Sequence, residues 1–228
     1  MGTRDIGSTT GSSGYGRILD STGVFKYANV GKGWTTEIDY TNLKGLTVTT
    51  TDGQKHDISR IHRTFQLVNT GATGLNDVYI PNDPTEGFIV ARNNGTGSYS
   101  DYMNFLVTDS YYYTVNGKEV VYSASQETPI ALTYSSLNNN PIGREGARAT
   151  GDGSSMVEIN GSTVSVHGDQ FAYSDNYNRQ EETGLNWDTT DSAYQYKGAA
   201  IGVFTQGSSF TTEFVQWDGS ADPAGQTY

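Results

Sequence analysis

Trp34, Thr36, Ile38 and Tyr40 occupy alternate positions of one short run. A period of two puts them on one face of a strand and the residues between them on the other. Runs of this kind recur at roughly 8–12-residue spacing, each closed by Gly, Asn, Asp or Pro. No segment sustains the 3.6-residue period of an amphipathic helix. The pattern predicts an all-β fold, an antiparallel jelly-roll β-sandwich of about 8–10 strands with little helix. With no repeat of about 20–50 residues, propellers and solenoids are excluded.

Turn chemistry sharpens this expectation. Asn116-Gly117 lies between Val115 and Lys118, and Asn160-Gly161 between two further β-prone runs. Both read as type I′ hairpins, in which two consecutive residues take positive φ. Residues 58–69 form the longest candidate strand. There Ile61, Arg63, Phe65 and Leu67 share odd positions, while His56, Ile58, Arg60 and His62 share even ones. Residues 137–153 read as a polar loop, and residues 169–191 as a long loop or short irregular helix. The small-residue segment 1–16 reads as a flexible arm, 17–218 as a single domain and 219–228 as a loose tail.

Composition narrows the function. The chain has no cysteine among its 228 residues, which removes disulfides, thiol chemistry and Cys-ligated zinc. It carries 12% aromatic residues, against global disorder. The net charge of −11 fits either ordinary solubility or adaptation to high salt, and it argues against direct nucleic-acid contact. No apolar run reaches about 18 residues and no apolar leader precedes the first strand, so cytoplasmic synthesis is expected.

No enzyme motif stands out. Gly-x-Ser-x-Gly is absent, and nothing in the spacing of the acids selects a glycosidase pair. His56 and His62 fall about 20 Å apart along one strand, too far to share a metal. The expectation is a non-enzyme without a cofactor. Calcium is the best ion, with Asp169, Asp175, Glu181 and Asp188 as candidate oxygen ligands in one acidic stretch. Tyrosine is the outstanding side chain, at 16 copies. A rigid ring with a hydroxyl builds contact area at low entropic cost, so Tyr111, Tyr112 and Tyr113 are candidate interface residues. Arg144 and Arg148, the one dense basic cluster, join them. On this reading the outward surface of the sandwich, not a pocket, is the working part.

These features together resemble the small major capsid proteins of haloarchaeal icosahedral, membrane-containing viruses: acidic, lysine-poor, cysteine-free single jelly rolls with a small-residue N-terminal arm. The resemblance implies a self-assembling virion protein that packs with copies of itself and a second capsid protein near an internal membrane. Thr64-Phe-Gln-Leu-Val-Asn-Thr-Gly71, with Val78-Tyr-Ile80, is also similar to jelly-roll filament subunits of the TasA kind, which implies an extracellular or cell-surface location. A virion tail-tube protein and a carbohydrate-binding module are the remaining alternatives.

Overall fold

The computed structural model describes residues 5–11, 17–19, 23–70, 76–92, 103–140, 143–178, 192–217 and 226–227. The strands begin with β1 (Asp5–Gly11), β2 (Arg17–Leu19), β3 (Val24–Val30), β4 (Thr35–Thr41), β5 (Thr47–Thr49) and β6 (Lys55–Thr70). Next come β7 (Asn76–Pro81), β8 (Ile89–Arg92), β9 (Met103–Val115), β10 (Lys118–Val121), β11 (Ile130–Tyr134) and β12 (Asn139–Asn140). The remainder are β13 (Gly143–Thr150), β14 (Ser154–Glu158), β15 (Ser165–Val166), β16 (Ala172–Tyr173), β17 (Ala200–Phe204), β18 (Phe210–Trp217) and β19 (Gln226–Thr227). A single 3-10 turn, Gln195–Gly198, is the only helical segment among the described residues.

All pairings are antiparallel and they build a β-sandwich, as the alternation predicts. One layer is an 11-stranded sheet ordered β1-β4-β6-β9-β18-β13-β16-β15, with β5, β10 and β12 attached at its margins. The other is made of two smaller sheets, β19-β8-β7-β3-β2 and β11-β17-β14. Aromatic pairs join the layers: Tyr27 meets Trp34, Phe88 meets Phe105, Tyr134 meets Phe214, and Phe204 meets Phe210. The alternation in β4 holds in full, with Thr36, Ile38 and Tyr40 buried and the residues between them half-exposed.

Three local readings are corrected. In β6 the register steps between Ile58 and Arg60, leaving Ser59 as an extra residue. A one-residue bulge moves every following side chain to the opposite face. Ile58 therefore faces inward with Ile61 and Arg63, while His56 and His62, expected on one face, lie on opposite faces. Residues 137–153 are not a loop. They contain β13, which is paired with β18 from Arg144 to Thr150. Its Gly-Arg-Glu-Gly-Ala-Arg-Ala-Thr sequence has low strand propensity, and its interior position overrides that. Asn116-Gly117 is the expected I′ turn, with φ of 50° and 75°. Asn160-Gly161 is not: only Gly161 has positive φ, and the strands on either side of it pair elsewhere.

Within the segment read as an arm, β1 pairs with β4; within the segment read as a tail, β19 pairs with β8.

Candidate functional site

The inner face of the large sheet is not fully covered. Between the two smaller sheets lies a cleft of about 400 Å³. Its floor is Ile58, Ile61 and Arg63 of β6, Val107, Asp109 and Tyr111 of β9, and Thr212 and Phe214 of β18. One wall is the β7–β8 connection from Pro84 to Phe88, and the opposite wall is β11 with Ser135. Leu46, Thr47 and Val48 line one end.

The polar centre of this mostly apolar floor is an ion pair. Arg63 Nε donates to Asp109 Oδ1 at 2.6 Å and Nη2 donates to Oδ2 at 2.8 Å. Arg63 Nη1 donates to the Pro84 carbonyl at 3.1 Å, which ties the wall to the floor. The Tyr111 hydroxyl donates to Asp109 Oδ2 at 3.2 Å. The side chains of Arg63 and Asp109 are 15% and 5% exposed, so the pair is almost dry. Burial works against the Arg63 charge, but Asp109 beside it holds the guanidinium above its ordinary value. Burial, and then the Asp109 carboxylate, push the Tyr111 phenol well up. Tyr134 shares a 2.7 Å hydrogen bond with Thr212. Gly202 of β17 lies directly against the Tyr134 ring, where an added Cβ would collide with it.

Geometrically this cleft offers aromatic and aliphatic surface with one neutralised, fully oriented ion pair, a combination common in small-molecule pockets. The sequence held one clue to it. Arg63 and Asp109 are charges on otherwise apolar strand faces, and a charge placed inward requires a buried partner.

Of the described residues predicted from sequence, Tyr111 alone lines the cleft. Tyr111 is 7% exposed and belongs to the floor. Tyr112 points to the outer face, under the Arg60 guanidinium at 3.8 Å. Tyr113 is half-buried beside His56. Arg144 lies 5.0 Å over the Tyr173 ring, and Arg148 pairs with Glu213 at 2.6 Å and covers Phe171. Of the calcium candidates, Asp169 accepts the Phe171 backbone N–H, and Asp175 stands 3.8 Å from His167 Nε2. Glu181 and Asp188 lie outside the described residues. Among the described residues no three His, Asp or Glu side chains gather as a metal site.

A sequence profile described as glucan-binding protein C matches residues 20–225. The chain belongs to the glucan-binding protein C family. Two solved structures of the adhesin domain of PrgB from Enterococcus faecalis share the fold at 21% identity. The one bound to DNA has a TM-score of 0.68 and is matched over 92% of this chain and 71% of that one. The other has a TM-score of 0.63, over 92% and 70%. Glucan-binding protein C of Streptococcus mutans follows at 19% identity and TM-score 0.62, over 93% of this chain. The present chain spans 61% of that structure.

Membership of the glucan-binding protein C family overturns the viral reading. The chain is not grouped with haloarchaeal capsid proteins, and the capsomer, second capsid protein and internal membrane implied by that resemblance fall with it. Acidity, missing cysteine and a β-sandwich are shared by many surface-exposed folds, so they could not carry the distinction. The exclusion of nucleic acid on net charge also fails as drawn, because one structure with this fold was solved bound to DNA. A net charge averages over a surface, and a partner meets only part of it.

Proposed function

We propose that this domain is an adhesin module, displayed at the cell surface or outside the cell, that binds glucan in the cleft between the smaller sheets. The cleft carries this reading. Its rings and aliphatic side chains offer surface for the C–H faces of a sugar, and the oriented Arg63–Asp109 pair offers fixed polar contacts for hydroxyls. The charges of the floor balance each other in the Arg63–Asp109 pair, which suits a neutral ligand. The family description, and the glucan-binding name of one relative, support the ligand class.

The work proposed is binding without turnover. Glycoside cleavage uses two carboxyl groups facing the scissile bond, one of them free to give a proton. Of the carboxyl groups in the lining, Asp109 is taken up by Arg63, and Glu86 sits on the exposed wall. The test is retention on immobilised glucan and calorimetry with soluble dextran. Leu132→Trp places an indole in the cleft from the half-buried β11 wall. Wild type should bind and the variant should bind at least about tenfold more weakly with unchanged melting. A wild-type protein that ignores dextran, or a variant that binds it equally well, would end this reading.

A further inference from the structure

We propose that the cleft is the inner end of a longer track, and that its ligand is a stretch of an extended neutral polymer rather than a single sugar. The inference rests on the glucan reading and goes on to specify what form of glucan is recognised.

The register of the large sheet carries the argument. Ile58 and Val48 line the cleft at one end. Ile58 is directly opposite Tyr113, and Val48 is directly opposite His56. Residues directly opposed in an antiparallel pair stand on the same face. The Tyr113 and His56 rings therefore continue the surface that Tyr111 begins. They pack on each other with centroids 4.7 Å apart and planes tilted by 35°. Val120 is directly opposite Tyr113, and Val115 is two residues beyond it, so both share that face.

This strip is exposed where the cleft is buried. Val115 is 36% exposed, Val120 is 37% exposed, and every residue of β10 is open to solvent. From Tyr113, level with Ile58 at the end of the cleft, to Val115 the strand advances roughly 7 Å, enough for about one further sugar ring. Two half-buried rings flanked by β-branched side chains form a ledge with little charge. Lys118, opposite Val115, is the cation on this face of the hairpin, at its far end. An extended chain seated over Arg63 and Asp109 would leave the cleft past Ile58 and lie along these rings. The gain comes from covering apolar surface that the folded protein otherwise leaves wet.

The test is calorimetry with linear glucan oligosaccharides of increasing length, on wild type, Tyr113→Ala and Val120→Thr. Val120 is exposed, so its replacement leaves folding intact if Tyr113→Ala does not. For wild type, affinity should rise with length by about tenfold once the oligomer outgrows the cleft. Both variants should lose that rise and keep wild-type affinity for the shortest oligomer that binds. Affinity independent of length, or a loss equal for short and long oligomers, overturns the track while leaving the cleft reading intact. Failure of every oligomer to bind overturns both. Duplex DNA that binds wild type in place of the oligosaccharides, and is weakened by Tyr113→Ala, would assign the strip to a polyanion instead.

Discussion

Two arginines three residues apart on β6 show how position sets the worth of one chemistry. Arg63 faces inward and grips Asp109 at 2.6 Å, with both side chains at least 85% covered. Arg60 faces outward, donates to Asp39 at 2.8 Å and to Glu119 at 2.7 Å, and lies over Tyr112. Asp39 also meets His62 Nδ1 at 3.0 Å. The outer cluster makes more charged contacts than the inner pair. Its members are 24% to 42% exposed, however, and water competes for each of them. The inner pair has given up its water and holds together the floor and wall of a cleft. More ion pairs do not mean more stability; desolvation decides which one the fold depends on.

The comparison breaks first at Asp109. Asp109→Ala leaves the Arg63 guanidinium buried without its carboxylate and should cost about 3–5 kcal/mol in urea denaturation. The double change Arg63→Met with Asp109→Leu should recover most of that loss, because an apolar pair of similar volume removes both desolvation penalties. It should also lose dextran binding, since the polar anchor is gone. If Asp109→Ala costs under about 1 kcal/mol, the pair is wet and the contrast with the outer cluster collapses.

The second expected effect uses the tyrosines around the inner pair. Burial pushes the Tyr40 phenol up to about 12 from its ordinary 10.0. Burial raises Tyr134 as well, with its Thr212 hydrogen bond pulling the other way, and Tyr111 is raised beside Asp109. A group whose folded value lies above its unfolded value stabilises fully below the unfolded value. That contribution is lost as pH rises through the folded one. Stability should therefore hold up to about pH 10 and fall between pH 10 and 12, with Tyr40 alone accounting for roughly 2–3 kcal/mol. Phenolate absorbance should show these rings titrating together with unfolding. If all 16 tyrosines titrate near pH 10 with the fold intact, the inner face is open to water.

The same contrast explains what the sequence could tell. Alternation in β4 and the Asn116-Gly117 turn are local signals, and both are realised as read. The Ser59 bulge is not, because nothing in a period-two pattern marks where one residue is skipped, and that single step decides which of His56 and His62 faces the cleft. Strand β13 is hidden for another reason: its glycines and alanines are buried and paired inside the sheet, a position that only the assembled sheet reveals. The cleft itself has no local sequence signature. Its lining comes from residues 46–48, 58–63, 84–88, 107–111, 130–135 and 212–214, brought together by topology alone. What remained legible was the anomaly of Arg63 among Ile61, Phe65 and Leu67. Alternation alone counts it as one more inward position, and the structure makes it one half of a buried pair.

Arg60→Ala sharpens the contrast from the outer side. It removes contacts to two partly exposed carboxylates and the stack on Tyr112, and should cost no more than about 1 kcal/mol at low salt. Raising ionic strength to about 1 M should shrink that cost, since the Debye length falls to about 3 Å. The Asp109→Ala penalty should scarcely change over the same range. A salt-insensitive Arg60 effect would mean that the outer cluster is shielded from solvent in a way its exposure does not indicate.

The smallest expected effect belongs to Asp39. Burial alone would raise its carboxyl, but hydrogen bonds from Arg60 and His62 outweigh it and hold the group below its ordinary 3.8. A depressed folded value contributes stability above the unfolded one and loses it as pH falls through the folded value. Asp39 should thus support the fold at neutral pH and stop doing so only below about pH 4. Asp39→Asn should flatten the acid limb of the stability profile slightly and leave the alkaline limb untouched. A variant that changes the alkaline limb instead would couple the outer cluster to the buried tyrosines, and the two faces of β6 would no longer behave as separate electrostatic systems.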